Sequence, residues 1–253
     1  MSNILSRRKL VTTGLAAAAG TSGLGAAAVL AERYGLVPPD HGGIYGVGET
    51  LTYASQRLLM SHHSLAREFS RGQISKVFPV NGDPPGNGVY RRLLAADFRA
   101  WRLTVDGLVA RPSAFSLADL RSFPSSTQIT HQACEEGWSF IAEWTGVPLS
   151  HVLTLVGVLP QAKYVVFFPF DESWDSLDMP DAWHPQTLLA YGMNGEELPT
   201  PHGAPVRLRV ARQLGYKSIK YLSRITVTDT LKDIGAGLGS VSPEIGYSWY
   251  AGI

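Results

Sequence analysis

Disulfide bonding within the chain is excluded outright, because the 253-residue sequence holds a single cysteine, Cys134. A thiol that cannot pair is either an inert core residue or a reactive or metal-ligating one, and only its neighbours decide which. Clustered positive charge is also missing. The formal net charge is +1, and pairs such as Arg91-Arg92 or Lys217 with Lys220 suit a small anion rather than a polymer of phosphates, so nucleic-acid binding is set aside. The common catalytic signatures are absent too: there is no Gly-x-Ser-x-Gly elbow, no Walker phosphate loop, no Gly-x-Gly-x-x-Gly and no His-Glu-x-x-His. A hydrolase built on His131 or His184 with a serine therefore lacks a visible nucleophile, base and oxyanion hole. Zinc fares little better. His131-x-x-Cys134 offers two ligands where a structural site takes four, and His62 and His63 have no sequence reason to join them.

What is present is a compact composition, 45% hydrophobic and only 17% charged, which excludes a disordered or coiled chain and predicts one domain of ordinary to large size. Ahead of it, Ser6-Arg7-Arg8-Lys9-Leu10-Val11 precedes an uncharged, Ala- and Gly-rich run from Thr12 to Ala31. A twin-arginine pair followed by a weakly hydrophobic stretch resembles a twin-arginine export signal. Its Gly, Ser and Thr make it a poor membrane span; cleavage near Ala28 or Ala31 and retention as an anchor are both left open. This route is known for exporting folded proteins, often around a cofactor, which raises the expectation of one here and predicts a periplasmic location.

The predicted organisation is residues 1–31 as signal segment, 32–50 as lead-in and 51–253 as the functional domain. Pro38 to Gly48 reads as an extended linker, Leu51 to Phe69 as partly helical, and Asn81 to Gly88 (NGDPPGNG) as a loop. Alternation predicts strands at Trp101–Val105 and Val206–Val210, an apolar run predicts another at Tyr164–Phe168, and β-branched residues predict one over Ile219–Thr228. Ser116 with Asp119 three places on predicts a capped helix start, and Pro148 to Gly157 a second short helix. The fold class is α+β: mixed β-sheets with short helices between them, in a single domain and not a regular βαβ series.

Two segments carry the chemistry. The first runs from Thr130-His131-Gln132-Ala133-Cys134-Glu135-Glu136-Gly137-Trp138-Ser139 to Glu143-Trp144-Thr145-Gly146-Val147-Pro148-Leu149. The second runs from Leu188 to Gly195, through Pro201-His202-Gly203-Ala204-Pro205-Val206-Arg207, to Gly215-Tyr216-Lys217-Ser218-Ile219-Lys220. The first resembles the cysteine segment of the sulfite-oxidase superfamily, and the second its pterin-binding stretch. The resemblance covers roughly residues 50 to 230 and implies the sulfite-oxidase-type molybdopterin-binding fold, an oxidoreductase activity and a molybdenum–molybdopterin cofactor (Mo-MPT).

By that correspondence Cys134 is the protein ligand to molybdenum, where a thiolate makes a soft, strongly donating ligand. His202, Arg207, Ser218, Ile219 and Lys220 are the expected contacts to the pterin and its phosphate, the two cations suiting an anion removed from water. Ser64, Arg67, Glu68 and Phe69 fall where relatives touch the pterin near the start of the domain, and Trp138, Trp174 and Asp175 are candidates for the substrate pocket. The pattern departs from sulfite oxidases in one telling place: Glu135-Glu136 follow Cys134 where those enzymes carry arginines, which disfavours a dianion as substrate. A short, exported, molybdenum-only chain is more similar to the catalytic subunit of the periplasmic methionine-sulfoxide reductase system, although that relative has Asn in place of His202. The expected activity is oxygen-atom or other two-electron transfer on a small-molecule substrate. The resemblance leaves the redox partner as a haem-bearing membrane subunit or a soluble cytochrome. The alternative is a metal-free exported binding or chaperone-like module on the same fold, for which Cys134 would have no use.

Overall fold

The computed structural model describes residues 31, 34–42, 45–60 and 64–253. The expected signal segment, its cleavage positions, and His62 and His63 lie outside the described residues. The chain divides into two compact units, Met1–Ser61 and His62–Ile253. In the first, α1 (Gly46–Leu59) carries Glu49 in its first turn and Arg57 in its last, both favourable to the helix dipole. This helix starts within the residues read as lead-in, and the second unit begins at His62.

The second unit holds, in chain order, α2 (Gly88–Ala95), β1 (Leu103–Gly107), β2 (Ser113–Phe115), α3 (Leu117–Ser122), β3 (Ser126–Ala133) and β4 (Ser139–Pro148). There follow α4 (Leu149–Val156), β5 (Tyr164–Pro169), β6 (Asp175–Asp178), α5 (Met179–Ala182), β7 (Thr187–Met193), β8 (Glu196–Glu197), β9 (Arg207–Val210), β10 (Leu222–Thr228) and α6 (Val241–Glu244). Local chemistry explains several boundaries. Ser116 and Asp119 form a reciprocal capping box at the start of α3, and Gly157 ends α4 in the left-handed conformation at φ +70°.

Two five-stranded sheets result. The first runs β2-β1-β10-β5-β6, with β1 and β10 parallel and the other pairs antiparallel. The second is the antiparallel path β3-β4-β7-β8, with β9 also paired to β7. A large apolar core draws on both sheets and on α2 and α4, including Trp101, Leu103, Val105, Leu149, Leu153, Phe167, Leu208 and Ile225. A smaller cluster of Phe140, Ala142, Trp144, Ala190, Met193 and Leu198 packs under the second sheet's far end.

The joint between the sheets positions the site. Beside β9, residues 218–222 hydrogen-bond as a loop: Leu208 N–H donates to the Ile219 carbonyl (2.7 Å), Val210 N–H to Ser218 Oγ (3.0 Å) and Leu222 N–H to the Val206 carbonyl (3.0 Å). That loop then continues into β10 of the first sheet. Ile219 and Lys220 are therefore loop residues, and the strand predicted from Ile219 begins instead at Leu222. The β9 alternation also misleads: Arg207 and Arg209 are buried like the apolar residues beside them.

Candidate functional site

Cys134 sits at the tip of the β3–β4 hairpin. Its N–H donates to the Trp138 carbonyl (2.9 Å) and its carbonyl accepts from Gly137 N–H (3.1 Å), a tight turn that needs the positive φ of +90° at Gly137. The thiol is 8% exposed and donates to Glu135 Oε2 at 3.2 Å, while Asn81 Nδ2 lies 3.9 Å from the sulfur. Burial pushes the thiol pKa up, and the Glu135 carboxylate adds to the rise. A cationic ligand at the sulfur would reverse that balance by favouring the thiolate.

Three segments converge on this thiol to enclose a cavity of about 280 Å³. The Pro79–Asp83 loop contributes Asn81 and Asp83; the turn before β9 contributes His202; and the Gly215–Tyr221 loop contributes Ser218, Ile219, Lys220 and Tyr221. Arg207, Gln132, Glu135, Trp138, Phe140 and Asp171 complete most of the lining. Two glycines permit the convergence. Gly203 has φ +111°, and a Cβ there would lie 2.9 Å from Lys220 Cβ. At Gly215 a Cβ would meet Gln132 Nε2 at 2.5 Å and the Ala133 carbonyl at 3.1 Å, so only glycine lets this loop approach the strand that bears Cys134.

The electrostatics are lopsided. Arg207 is buried, donates to the His202 and Ser218 carbonyls at 2.9 and 2.8 Å, stacks 5.0 Å from the Trp144 ring centroid, and has no carboxylate partner among the described residues. Desolvation lowers its pKa to about 10. Lys220 donates to the carbonyls of Asn81 and Pro201, and burial with the neighbouring Arg207 lowers its pKa to about 8, against smaller opposing effects of Asp171 and Asp83. Burial, Arg207 and Lys220 together hold His202 down to about 4, so its ring is neutral at neutral pH. Depressed values on three basic groups around one cavity mark a place where an anion would be stabilised. Gln132 Oε1, buried and without a hydrogen-bond partner among the described residues, adds an acceptor on the same wall. A soft sulfur donor, two cations outside any salt bridge among the described residues and an open amide oxygen together fit a metal-bearing, phosphorylated heterocycle.

Of the residues singled out in the sequence, Cys134, Trp138, His202, Arg207, Ser218, Ile219 and Lys220 line this one cavity. The others lie outside its lining. Ser64 offers its carbonyl to His184 Nε2 (3.1 Å) and Arg212 Nη1 (3.2 Å); Glu68 accepts from Gln186 Nε2 (3.0 Å) and bridges to Thr130; Arg67 folds over Phe69. This segment is fastened by the buried Asp181–Arg212 pair (3.0 Å) and its neighbours. Asp175 is buried in an ion pair with Lys217, which also donates to the Ser176 carbonyl, so it belongs to the support of the cavity rather than its lining. Trp174 packs against Gly235 instead of facing Cys134. Sequence reading missed Gln132, Asn81, Asp83, Asp171 and Tyr221. Asn81 and Asp83 lie in a loop, and Gln132 in the cysteine segment, that the sequence marks, without a role being readable for any of them.

Residues 91–233 match the family model described as an oxidoreductase molybdopterin binding domain. A putative protein-methionine-sulfoxide reductase subunit, YedZ1, from Azospira oryzae is 38% identical over 197 residues, covering 78% of this chain and 71% of that protein. The crystal structure of the sulfane dehydrogenase SoxCD from Paracoccus pantotrophus superposes with a TM-score of 0.50 at 30% identity, over 52% of this chain and 39% of the SoxCD chain. The chain has the sulfite-oxidase-type fold, and it belongs to the molybdopterin-binding oxidoreductase family.

Proposed function

We propose that this chain is an exported, periplasmic oxidoreductase in which Cys134 ligates molybdenum, and which performs oxygen-atom or other two-electron transfer on a small substrate. Electrons would be exchanged with a separate haem-bearing partner, either a membrane subunit or a soluble cytochrome. One observation carries the reading: a single cavity gathers the buried Cys134 thiol and the cations Arg207 and Lys220, neither of them in a salt bridge among the described residues. Arg207, Lys220, His202, Ser218 and Ile219 would hold the pterin and its phosphate. Molybdenum, when bound, supplies the two-electron redox chemistry, and the chain's own groups position and select around it. Neutral His202 can donate or accept one hydrogen bond without adding charge. Trp138, held by a hydrogen bond from its Nε1 to Glu136 (2.8 Å) and stacked parallel to Phe140, forms a firm wall. With Arg207 and Lys220 committed to a phosphate, the remaining charges on the lining are those of Asp83, Glu135 and Asp171, which favour an uncharged or cationic substrate over an anion such as sulfite.

Elemental analysis of protein exported with its own signal tests the assignment, alongside Cys134→Ala. Near-stoichiometric molybdenum in the wild type, and loss of the metal or an altered metal spectrum in the variant, is the expected result. Folded wild-type protein that never contains molybdenum would overturn it.

A further inference from the structure

Behind Arg207 lies a second buried guanidinium that the cavity does not touch. Arg209 is 0% exposed and lies two residues along β9, so its side chain rises from the same face as that of Arg207. Among the described residues it has no carboxylate partner, and its Nε has no hydrogen-bond partner. Burying a cation beside another cation is unfavourable, and the pair shows it: desolvation and Arg207 lower the Arg209 pKa to about 9. Such an arrangement calls for a structural return.

The return is in where the fork points. Nη2 donates to the His131 carbonyl at 2.7 Å and to Thr130 Oγ1 at 3.2 Å, and Nη1 donates to the Val210 carbonyl at 2.9 Å. Thr130 and His131 belong to β3, whereas β9 is bonded to β7; β4 and β7 stand between them in the sheet. The side chain therefore joins two strands that share no backbone pairing, with its guanidinium 5.6 Å from the Trp144 ring centroid, against which Arg207 also lies at 5.0 Å. It ends three residues short of Cys134, where β3 is about to leave the ladder for the hairpin turn. One side chain thus links the strand that presents Arg207 to the strand that presents Cys134.

We infer that Arg209 is a positioning residue, a clamp that fixes the Cys134 end of β3 relative to Arg207 and so sets the thiolate against the rest of the cofactor site. The inference rests on the reading of Cys134 as the molybdenum ligand. A planar fork with two bonding nitrogens is what the clamp requires, so lysine, with the same charge but a single donor head, does not replace it.

The test compares wild type, Arg209→Met and Arg209→Lys as holoenzymes, using molybdenum content, thermal melting, the electron paramagnetic resonance spectrum of the metal, kcat and KM, and hydrogen exchange across residues 130–138. Expected are shifted spectra in both variants, kcat lowered about tenfold with KM changed less than about twofold, and exchange roughly tenfold faster in that segment while the rest of the protein is unchanged. Loss of molybdenum with melting intact and the same local exchange also supports the clamp. A wild-type spectrum and exchange pattern in Arg209→Met would overturn it. So would full rescue by Arg209→Lys, which would assign the role to charge, or a general collapse of melting in both variants without any local change. If the wild type proves to hold no molybdenum, the reading of Cys134 falls, while the exchange data still decide whether Arg209 holds that strand end.

Discussion

Lys220 titrates within reach of ordinary assays, since burial and Arg207 bring its ammonium down to about 8. An anion bound beside it would favour the charged form and raise that value, so binding takes up a proton at pH above 8. The linkage sign follows: affinity for a phosphate group is full below pH 8 and falls as pH rises through it. Titrating cofactor-free protein with inorganic phosphate at pH 7 and 9 should show roughly tenfold weaker binding at the higher pH, one unit above the group's pKa. Equal affinity at both would mean that Lys220 does not face the anion. That Lys220 and Arg207 belong to one site was legible from their motif. Their near neighbour Arg209 was not, because an Arg-Leu-Arg-Val pattern reads as one charged and one apolar face until the fold buries both. Gln132 was illegible for a related reason: its role depends on Gly215 approaching from a distant loop, a contact that no local pattern encodes.

At the scale of elements, the sequence was most informative where local chemistry decides structure. The Ser116–Asp119 box and the Pro148 and Gly157 boundaries of α4 came through to within a residue or so. Less legible were β6 and the Gly215–Lys217 turn, whose joining depends on a tertiary ion pair. The same contrast separates two substitutions. Ser116→Ala removes one cap on an exposed helix start and should cost about 1 kcal/mol in chemical denaturation, with molybdenum content unchanged. Asp175→Asn removes the counter-charge of Lys217, which is 1% exposed beneath Trp249, and should cost about 3–5 kcal/mol. Because Lys217 immediately precedes Ser218 and Lys220 in the cavity loop, this variant should lose cofactor as well as stability. Full molybdenum content in folded Asp175→Asn would show that the ion pair supports the fold without supporting the loop.

On the scale of the whole molecule, every residue lining the cavity lies between Pro79 and Tyr221, inside the compact unit that begins at His62. The Arg7-Arg8 pair precedes it in the sequence, in a segment whose composition resembles an address rather than part of a site. Export and cofactor binding should therefore separate cleanly. A chain of residues 62–253 made in the cytoplasm should fold and acquire molybdenum, and so should the full-length chain carrying Arg7→Lys and Arg8→Lys. Neither should reach the periplasm, where the wild type is expected to accumulate. Fractionation with elemental analysis of each compartment checks both halves of this expectation. A folded 62–253 chain without molybdenum would place part of the cofactor-binding function in the first 61 residues. Periplasmic delivery of the double-lysine chain would show that the twin arginines are not the export signal, and leave the molybdenum assignment standing on the cavity and the family match.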